Sequence, residues 1–540
     1  MDITIKMSEF DVIIVGGGAT GAGVARDCAL RGIRALLIER HAIATGATGR
    51  NHGLLHSGAR YAVNDRESAE ECIKENMILR RIAAHCVEDT GGLFITLPED
   101  SLEFQAKFIE SCRAAGIAAE AIDPKEALAL EPSVNPTLVG AVKEPDGSVD
   151  PFRLTAANIM DARLHGAKVL TYTKVDELII ESGRVVGVKV TNTISGEKSE
   201  YRAAVTVNAC GIWGRDLAAK AGITINMLPA KGALLVFGHR VNNVVINRCR
   251  KPADADILVP GDSITVIGTT SSKVPFDECD NMYVTRDEVD LLLREGSMLA
   301  PALNHTRILR AYAGVRPLVA SDDDPSGRSV SRGIVVLDHA TRDGVEGFVT
   351  ITGGKLMTYR LMAEWTVDLI CKKLNIDAKC TTAEALLPGS SSNSGDCTRT
   401  TVTKFGAKTS AFYRHGANAT KIDSSTASKR ALVCECEQVS VGEIEYAVEQ
   451  LGVNNLVDLR RRTRMGMGTC QGELCACRAA AVMAAAGKIC PAMAKADLKS
   501  FIAERWKGMS AVAWGDTMRE GELLSWLYDG VCDLSNQKME

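Results

Sequence analysis

Residues 11–40, DVIIVGGGATGAGVARDCALRGIRALLIER, decide the fold: they read as a strand, a glycine turn, a helix and a second strand that closes on an acid. The run from Asp11 to Val15 is β-branched and apolar, as a strand buried on both faces of a parallel sheet must be. Gly16, Gly18 and Gly21 give the G-x-G-x-x-G spacing. That spacing permits a tight turn, lets a pyrophosphate approach the backbone and lets the next helix pack closely on the strand, with its N-terminus facing the phosphates. Small and apolar residues recur at helical spacing from Ala22 to Arg31, Gly32 ends the helix, and Ile33 to Ile38 form the second strand. Glu39 comes next, at about the distance where an acid accepts hydrogen bonds from the ribose hydroxyls of a dinucleotide.

Around this unit the composition is that of a globular protein, with 46% hydrophobic and 24% charged residues. The 540 residues suggest roughly three or four domains. A net charge of −4 leaves no electrostatic footprint for a polyanion, so no nucleic acid is expected as a partner. The first residues, MDITIKMSEF, have neither a basic nor an apolar signal region, and no stretch reaches about 18 consecutive apolar residues. The expectation is a cytoplasmic chain with no direct transmembrane segment. There are 17 cysteines, an odd number without a secretion signal, which favours reduced thiols and metal ligands over disulfides.

Downstream, HAIATGATGRNHGLLHSGARYAV is rich in Gly, Ala and Thr and lies where a dinucleotide would extend along the crevice. Residues 66–86 read as an amphipathic helix, with two shorter helices in EFQAKFIESCRAAG and DPKEALALEP. Strands are read in GRVVGVKVTN and AAVTVNACGIWG. A second strand-glycine-helix junction is read from Phe348 to Thr352, Gly353-Gly354 and a helix beginning near Leu356.

The opening motif, HSGARY (56–61), NACGIWG (208–214), AGVRPL (313–318) and TGGKLMTYR (352–360), in this order, resemble the FAD-dependent glycerol-3-phosphate dehydrogenases. The C-terminal cysteines extend the likeness to the anaerobic members, over essentially the whole chain. The resemblance implies an α/β two-part flavoprotein (an α+β body): a Rossmann-like FAD domain interleaved with an antiparallel-sheet substrate domain over residues 1–388. It implies oxidation of sn-glycerol 3-phosphate to dihydroxyacetone phosphate, with hydride transfer to FAD. Arginine suits the substrate phosphate, because its planar fork can give two parallel hydrogen bonds. By resemblance Arg60, Arg316 and Arg332 are the candidates, with Tyr61 as hydroxyl donor and Thr269 or Thr270 nearby. Lys355 is expected beside the flavin, where a cation stabilises developing charge, and His56 is the candidate proton acceptor. The resemblance also places Ala19, Thr20, Arg40, Thr45, Thr48, His56, Ser57, Ala209, Gly211, Gly353, Gly354, Lys355 and Leu356 against the cofactor, besides Gly16, Gly18, Gly21 and Glu39. One departure stands out: where the aerobic relatives carry a histidine after Lys-Gly-Ser, this chain reads Lys231-Gly232-Ala233-Leu234.

Residues 389–430 are rich in Ser, Thr, Gly and Asn and read as a mobile linker. In residues 431–480, Cys434 and Cys436 lie on a short extended piece, and Ser440 to Glu443 reads as a capping box ahead of a helix with Ile444, Ala447, Val448 and Leu451 on one face. A second helical stretch, LVDLRRRTR, leads to Cys470 and Cys475 in a glycine-bearing loop at a helix N-terminus. The C-x-C and C-x4-C pairs suit an iron–sulfur cluster or a zinc ion. They resemble the helical [2Fe–2S] domain of bacterioferritin-associated ferredoxins. Cys477 is read as a packed or spare thiol, and Arg460 to Arg464 as either a counter-charge or docking patch or an exposed helix face. In residues 481–540, read as helical, Trp506, Trp514 and Trp526 are expected to pack against the main body.

Taken whole, the resemblance implies that electrons leave FAD through the cluster. It implies a heterotrimer with a second flavoprotein subunit plus a membrane-anchoring iron–sulfur subunit, delivering electrons indirectly to the menaquinone pool and on to fumarate or nitrate. The place implied is the cytoplasmic side of the inner membrane, peripheral through those partners. Two other readings stay open: a related flavin amine or 2-hydroxy-acid dehydrogenase, and a flavin/iron–sulfur electron-transfer subunit without a substrate of its own.

Overall fold

The apolar run that opens the chain becomes the strand Val12–Val15, buried along its whole length. It pairs in parallel with Ala35–Ile38 on one side and Val205–Asn208 on the other. Lys168–Leu170 and Phe348–Gly353 extend the sheet in parallel, and Ile334–Asp338 adds an antiparallel edge, giving six strands. Because the chain leaves the central strand on one side and returns on the other, a crevice opens at the carboxyl ends of these strands. The structure, a computed structural model, describes residues 9–319, 333–390, 409–487, 489–532 and 534.

Helices Ala19–Leu30, Pro151–Leu164 and Tyr359–Leu374 cover one face of this sheet, their apolar sides sharing a core with Val12, Ile14 and Val207. The opposite face buries Ile13, Val15, Leu36 and Ile38 against a three-stranded antiparallel sheet formed by residues 173–202. A second large sheet of nine strands is threaded between these pieces of chain, from Gly92–Thr96 and its neighbours and then from residues 227–319. It is antiparallel except where Gly92–Thr96 runs parallel to Val245–Arg248. Its long strands Met227–Phe237 and Ile308–Val319 pair over almost their full length and carry the substrate sheet up to the crevice.

Several local expectations change in detail. The first helix begins at Ala19, directly after the third glycine-turn residue, and the second strand starts at Ala35. Residues 391–408 of the expected linker lie outside the described residues. The remainder of that stretch is built into the structure: Thr409–His415 is helical, and Arg414 and His415 are buried against Glu443 of the cysteine domain. Their demand on Glu443 also corrects the capping box. Ser440 accepts from the Glu443 amide at 3.2 Å, but the Glu443 carboxylate turns away to Arg414 at 2.7 and 2.6 Å and to His415 at 2.8 Å. Helix Val441–Gln450 and its capping residue Leu451 do bury Ile444, Ala447, Val448 and Leu451 together. The tryptophans are in part a second correction: Trp506 and Trp526 are 52% and 73% exposed and form surface, whereas Trp514 does pack against the main body, with the Arg286 guanidinium 4.2 Å over its ring.

Candidate active site

The crevice is a cleft of about 1170 Å³ that runs from the glycine turn, past the loop 45–61, to the ends of the two long strands of the second sheet. Gly16, Gly18, Ala19 and Thr20 form its floor. Gly16 has φ +114, and a Cβ there would lie 2.5 Å from the Ala209 carbonyl oxygen, so the turn holds only a glycine. Gly21 does not line the cleft; a side chain on it would overlap the Gly16 carbonyl, which is the close helix-on-strand packing that the motif serves. Glu39 lines the cleft and braces the turn, accepting from the Gly17 amide at 2.7 Å and the His41 amide at 2.9 Å. Thr48 accepts from the Ala19 amide at 3.0 Å, capping an otherwise unsatisfied N–H of the first helix. Thr45, Ala209, Gly211 and Arg40 line the same end, with the Arg40 guanidinium 4.6 Å over the Trp213 ring.

At the other end the second strand-glycine-helix junction brings in Gly353, Gly354, Lys355 and Leu356. The Lys355 ammonium is buried without a hydrogen-bond partner and sits 4.6 Å over the Tyr61 ring. His56 and Tyr61 line the cleft with ring centroids 5.7 Å apart, and His52 stands 6.0 Å beyond His56. Arg60 lines it too, tethered to Asp256 at 3.1 Å and to the Ala253 carbonyl at 2.8 Å, with Nη1 left without a partner. Arg316 crosses the strand at Gly232, where a Cβ would lie 2.7 Å from Nη2, and donates to Thr269 Oγ1 and to the Thr270 carbonyl at 3.1 Å.

Two expected contacts point elsewhere. Thr270 does not line the cleft: its hydroxyl is buried between the Ala233 amide at 3.0 Å and Glu288 at 3.3 Å. Ser57 lies behind the wall, where its amide donates to Asp146 at 2.6 Å. Arg332 lies outside the described residues. Residues that the sequence reading missed are Arg50, Asn51, His52, Gly232, Asp254 and the Trp213 ring. Arg50 directly follows the TGATG run, so its place in the loop could have drawn notice; nothing local marks Asp254. Burial pushes Arg50 down, helped by the charge of Arg461, and burial pushes Asp254 up.

The cleft fits a dinucleotide with a reactive ring at its far end. It offers a backbone cradle that side chains would fill, a helix N-terminus, and the buried donors Lys355 Nζ and Trp213 Nε1, which have no protein partner.

The cysteine domain places Cys434 at the end of strand Leu432–Cys434 and Cys475 at the N-cap of helix Ala476–Ala485. Among the described residues no three His, Cys, Asp or Glu side chains surround one point closely enough to hold a single ion. The four thiols form one connected chain, Cys434 to Cys475 to Cys470 to Cys436. Hydrogen bonding with Cys475 pulls Cys434 and Cys470 below the ordinary thiol value, helped by backbone amides of Gly466 and of Leu474 and Gly472, while Cys475 itself is pushed up. Burial raises Cys436. A set of four soft sulfur donors fits a two-iron cluster. The Cys477 sulfur lies 2.9 Å from that of Cys532.

The FAD dependent oxidoreductase family matches residues 11–360, and the BFD-like [2Fe-2S] binding domain matches residues 432–485. The second match decides for the cluster over zinc. Over 529 residues the chain is 63% identical to a subunit of the anaerobic glycerol-3-phosphate dehydrogenase of Haemophilus influenzae, covering 98% of this chain and 94% of that one. Over 532 residues it is 62% identical to the Escherichia coli protein of the same name, covering 98% of each. Among solved structures, the glycerol-3-phosphate dehydrogenase of Bacillus halodurans complexed with FAD shares the fold at a TM-score of 0.72 and 24% identity, over 93% of this chain and 96% of that one.

Proposed function

The chain belongs to the FAD-dependent glycerol-3-phosphate dehydrogenase family, with a C-terminal BFD-like [2Fe-2S] domain, and from that premise we propose that it oxidises sn-glycerol 3-phosphate to dihydroxyacetone phosphate. The observation that carries this reading is the cationic far end of the cleft, where Arg60, Arg316 and Lys355 line one space with Thr269 and Tyr61. Bound FAD supplies a two-electron acceptor, and the [2Fe–2S] cluster supplies one-electron steps out of the chain. Arg316 and Arg60 hold the substrate phosphate through their guanidinium N–H groups, with Thr269 and Tyr61 adding hydroxyl contacts. Held there, the substrate turns its C2 carbon toward Lys355, and a ring nitrogen of His56 takes the C2 hydroxyl proton. Lys355, a fixed cation in a buried setting, stabilises negative charge that develops beside it.

The relatives are named as subunits. We therefore place this chain in a complex with a second flavoprotein subunit plus a membrane-anchoring iron–sulfur subunit, peripheral on the inner membrane and passing electrons toward menaquinone. No helix among the described residues is long and apolar enough to cross a membrane, so membrane contact is assigned to the partners.

The test is an anaerobic visible spectrum of the purified chain. Glycerol 3-phosphate is expected to bleach the flavin band and then the iron–sulfur absorbance, while glycerol and a 2-hydroxy acid leave both unchanged. A flavin that stays oxidised with glycerol 3-phosphate would overturn the assignment and favour a relay without its own substrate.

A further inference from the structure

The two C-terminal helices, Pro491–Met509 and Gly515–Cys532, lie beyond the residues that either family matches, yet they close over the second cysteine loop. Phe501, 1% exposed, fills the space in front of Gly466 and Gly472: Cβ atoms there would lie 2.9 and 2.5 Å from its ring. The Tyr528 hydroxyl reaches the carbonyl oxygens of Gly472 and Glu473 at 2.9 and 3.0 Å. Arg505, one turn after Phe501 and so on the same side of its helix, is 3% exposed, and its charge acts on Glu473 and Cys470. Its Nε and Nη1 have no hydrogen-bond partner. The nearest carboxylate, Glu520, is 3.8 Å from Nη2 and is already held by both terminal nitrogens of Arg307.

A guanidinium cannot shed its proton, so Arg505 is a permanent charge buried among donors that find no acceptor. Such a group is costly unless a negative charge stands beside it. Glu473 supplies part of that charge, and a four-thiolate cluster on Cys434, Cys436, Cys470 and Cys475 supplies a part that grows by one with each electron accepted. We propose that Arg505 is a positioning residue of the cluster: it stabilises the reduced state and holds its reduction potential up, so that electrons pass readily from the flavin side. The C-terminal helices thus serve the cluster, not just the surface. The inference rests on the cluster but not on the identity of the alcohol oxidised.

The experiment is a dithionite titration, without substrate, of full-length wild type, Arg505→Gln and Arg505→Lys, followed by EPR of the cluster and absorbance of the flavin, with iron and sulfide assays. Arg505→Gln is expected to load iron fully and to weaken the hold on the reduced cluster about tenfold, a fall of about 59 mV for one electron. Arg505→Lys should stay within threefold of wild type, and the flavin midpoint should not move. A shift below threefold in loaded Arg505→Gln, or an equal fall in Arg505→Lys, overturns the proposal. If Arg505→Gln fails to assemble the cluster, Arg505→Lys decides: full loading with a near wild-type midpoint supports the role of charge, and loss of the cluster there as well makes Arg505 a packing residue.

Discussion

Arg316 lies across the backbone at Gly232, with Nη2 donating to Thr269 and the Thr270 carbonyl and Nη1 to the Lys231 carbonyl at 3.4 Å, which fixes the plane of its fork at the cleft. A fixed fork binds a phosphate at a lower entropic cost than a free side chain. Arg316→Ala is therefore expected to lower kcat/KM for glycerol 3-phosphate roughly a hundredfold, about 3 kcal/mol of charge-assisted hydrogen bonding, mainly through KM and with FAD content unchanged. Steady-state rates with an artificial acceptor measure this, and a change under fivefold would remove Arg316 from the phosphate site. Behind the same wall, Glu144 is buried against Asp146, which receives the Ser57 amide. Burial first, and the charge of Asp146 second, push Glu144 well above its ordinary 4.5. Below about pH 4.5 the group is protonated both folded and unfolded, so it adds no pH dependence. Above that pH the unfolded chain ionises while the folded one resists, and stability falls as pH rises toward the raised value. Glu144→Gln removes this penalty and is expected to stabilise by about 1–3 kcal/mol at pH 8 and by much less at pH 5. Thermal melts at the two pH values test it; an equal difference at both would show that Glu144 is ionised in the folded chain.

Two glycine turns, one per cofactor, organise the elements around them. Gly16 is pressed on the Ala209 carbonyl, and Gly472, at φ +96, is pressed on the Phe501 ring. Alanine at either position meets both a forbidden backbone region and an occupied space. Gly16→Ala is expected to lose most of its FAD and keep its iron, and Gly472→Ala the reverse; flavin and iron assays on the two purified variants are the check, and joint loss of both cofactors would mean that the two units do not load independently. The first turn was legible in the sequence because strand, turn, helix and acid succeed one another within thirty residues, and every constraint there is local. Long-range pairing left no such trace. Gly92–Thr96 lies parallel to Val245–Arg248, and nothing in either segment names the other. Thr270 and Ser57 carry the right chemistry for the cleft but are turned away by partners far along the chain, Glu288 and Asp146. Glu443 has the spacing of a capping box, and two residues of the supposed linker outbid it. Arg505 sits on a helix whose pattern gives no sign of the loop it faces. In each case the missing information is tertiary: a partner many residues distant decides where a locally ordinary side chain points.

At the scale of the whole molecule, the reaction needs the cysteine domain docked on the flavoprotein body, and that docking includes a few polar ties. Asn455 donates to the Tyr172 hydroxyl at 2.6 Å, and Tyr172 in turn donates to Asp458. Arg464 is the hub. It pairs with Glu437 of its own domain at 2.9 Å and with Asp262 of the second sheet at 3.0 Å, and Asp262 is also held by Arg153 at 2.5 Å. Although burial raises Asp262, these two arginines hold it well below its ordinary 3.8, so the tie is fully present above that pH and is lost only in stronger acid. Removing Arg464 takes the guanidinium from Glu437, which is 5% exposed, while Asp262, exposed at its side chain, keeps Arg153, so the cost is about 1–3 kcal/mol. Arg464 is not one of the cysteine ligands, and Arg464→Gln leaves the flavin cleft intact. The variant is therefore expected to bind FAD and iron normally and to bleach its flavin with substrate at the usual rate, but to reduce its cluster more slowly and to exchange amide hydrogens faster across residues 432–485. Stopped-flow absorbance and hydrogen exchange read the two effects separately. Faster exchange with an unchanged cluster reduction rate would show that electrons cross without this contact, and exchange that stays at the wild-type level would show that the domain is held by its apolar packing, with Arg464 adding no measurable share.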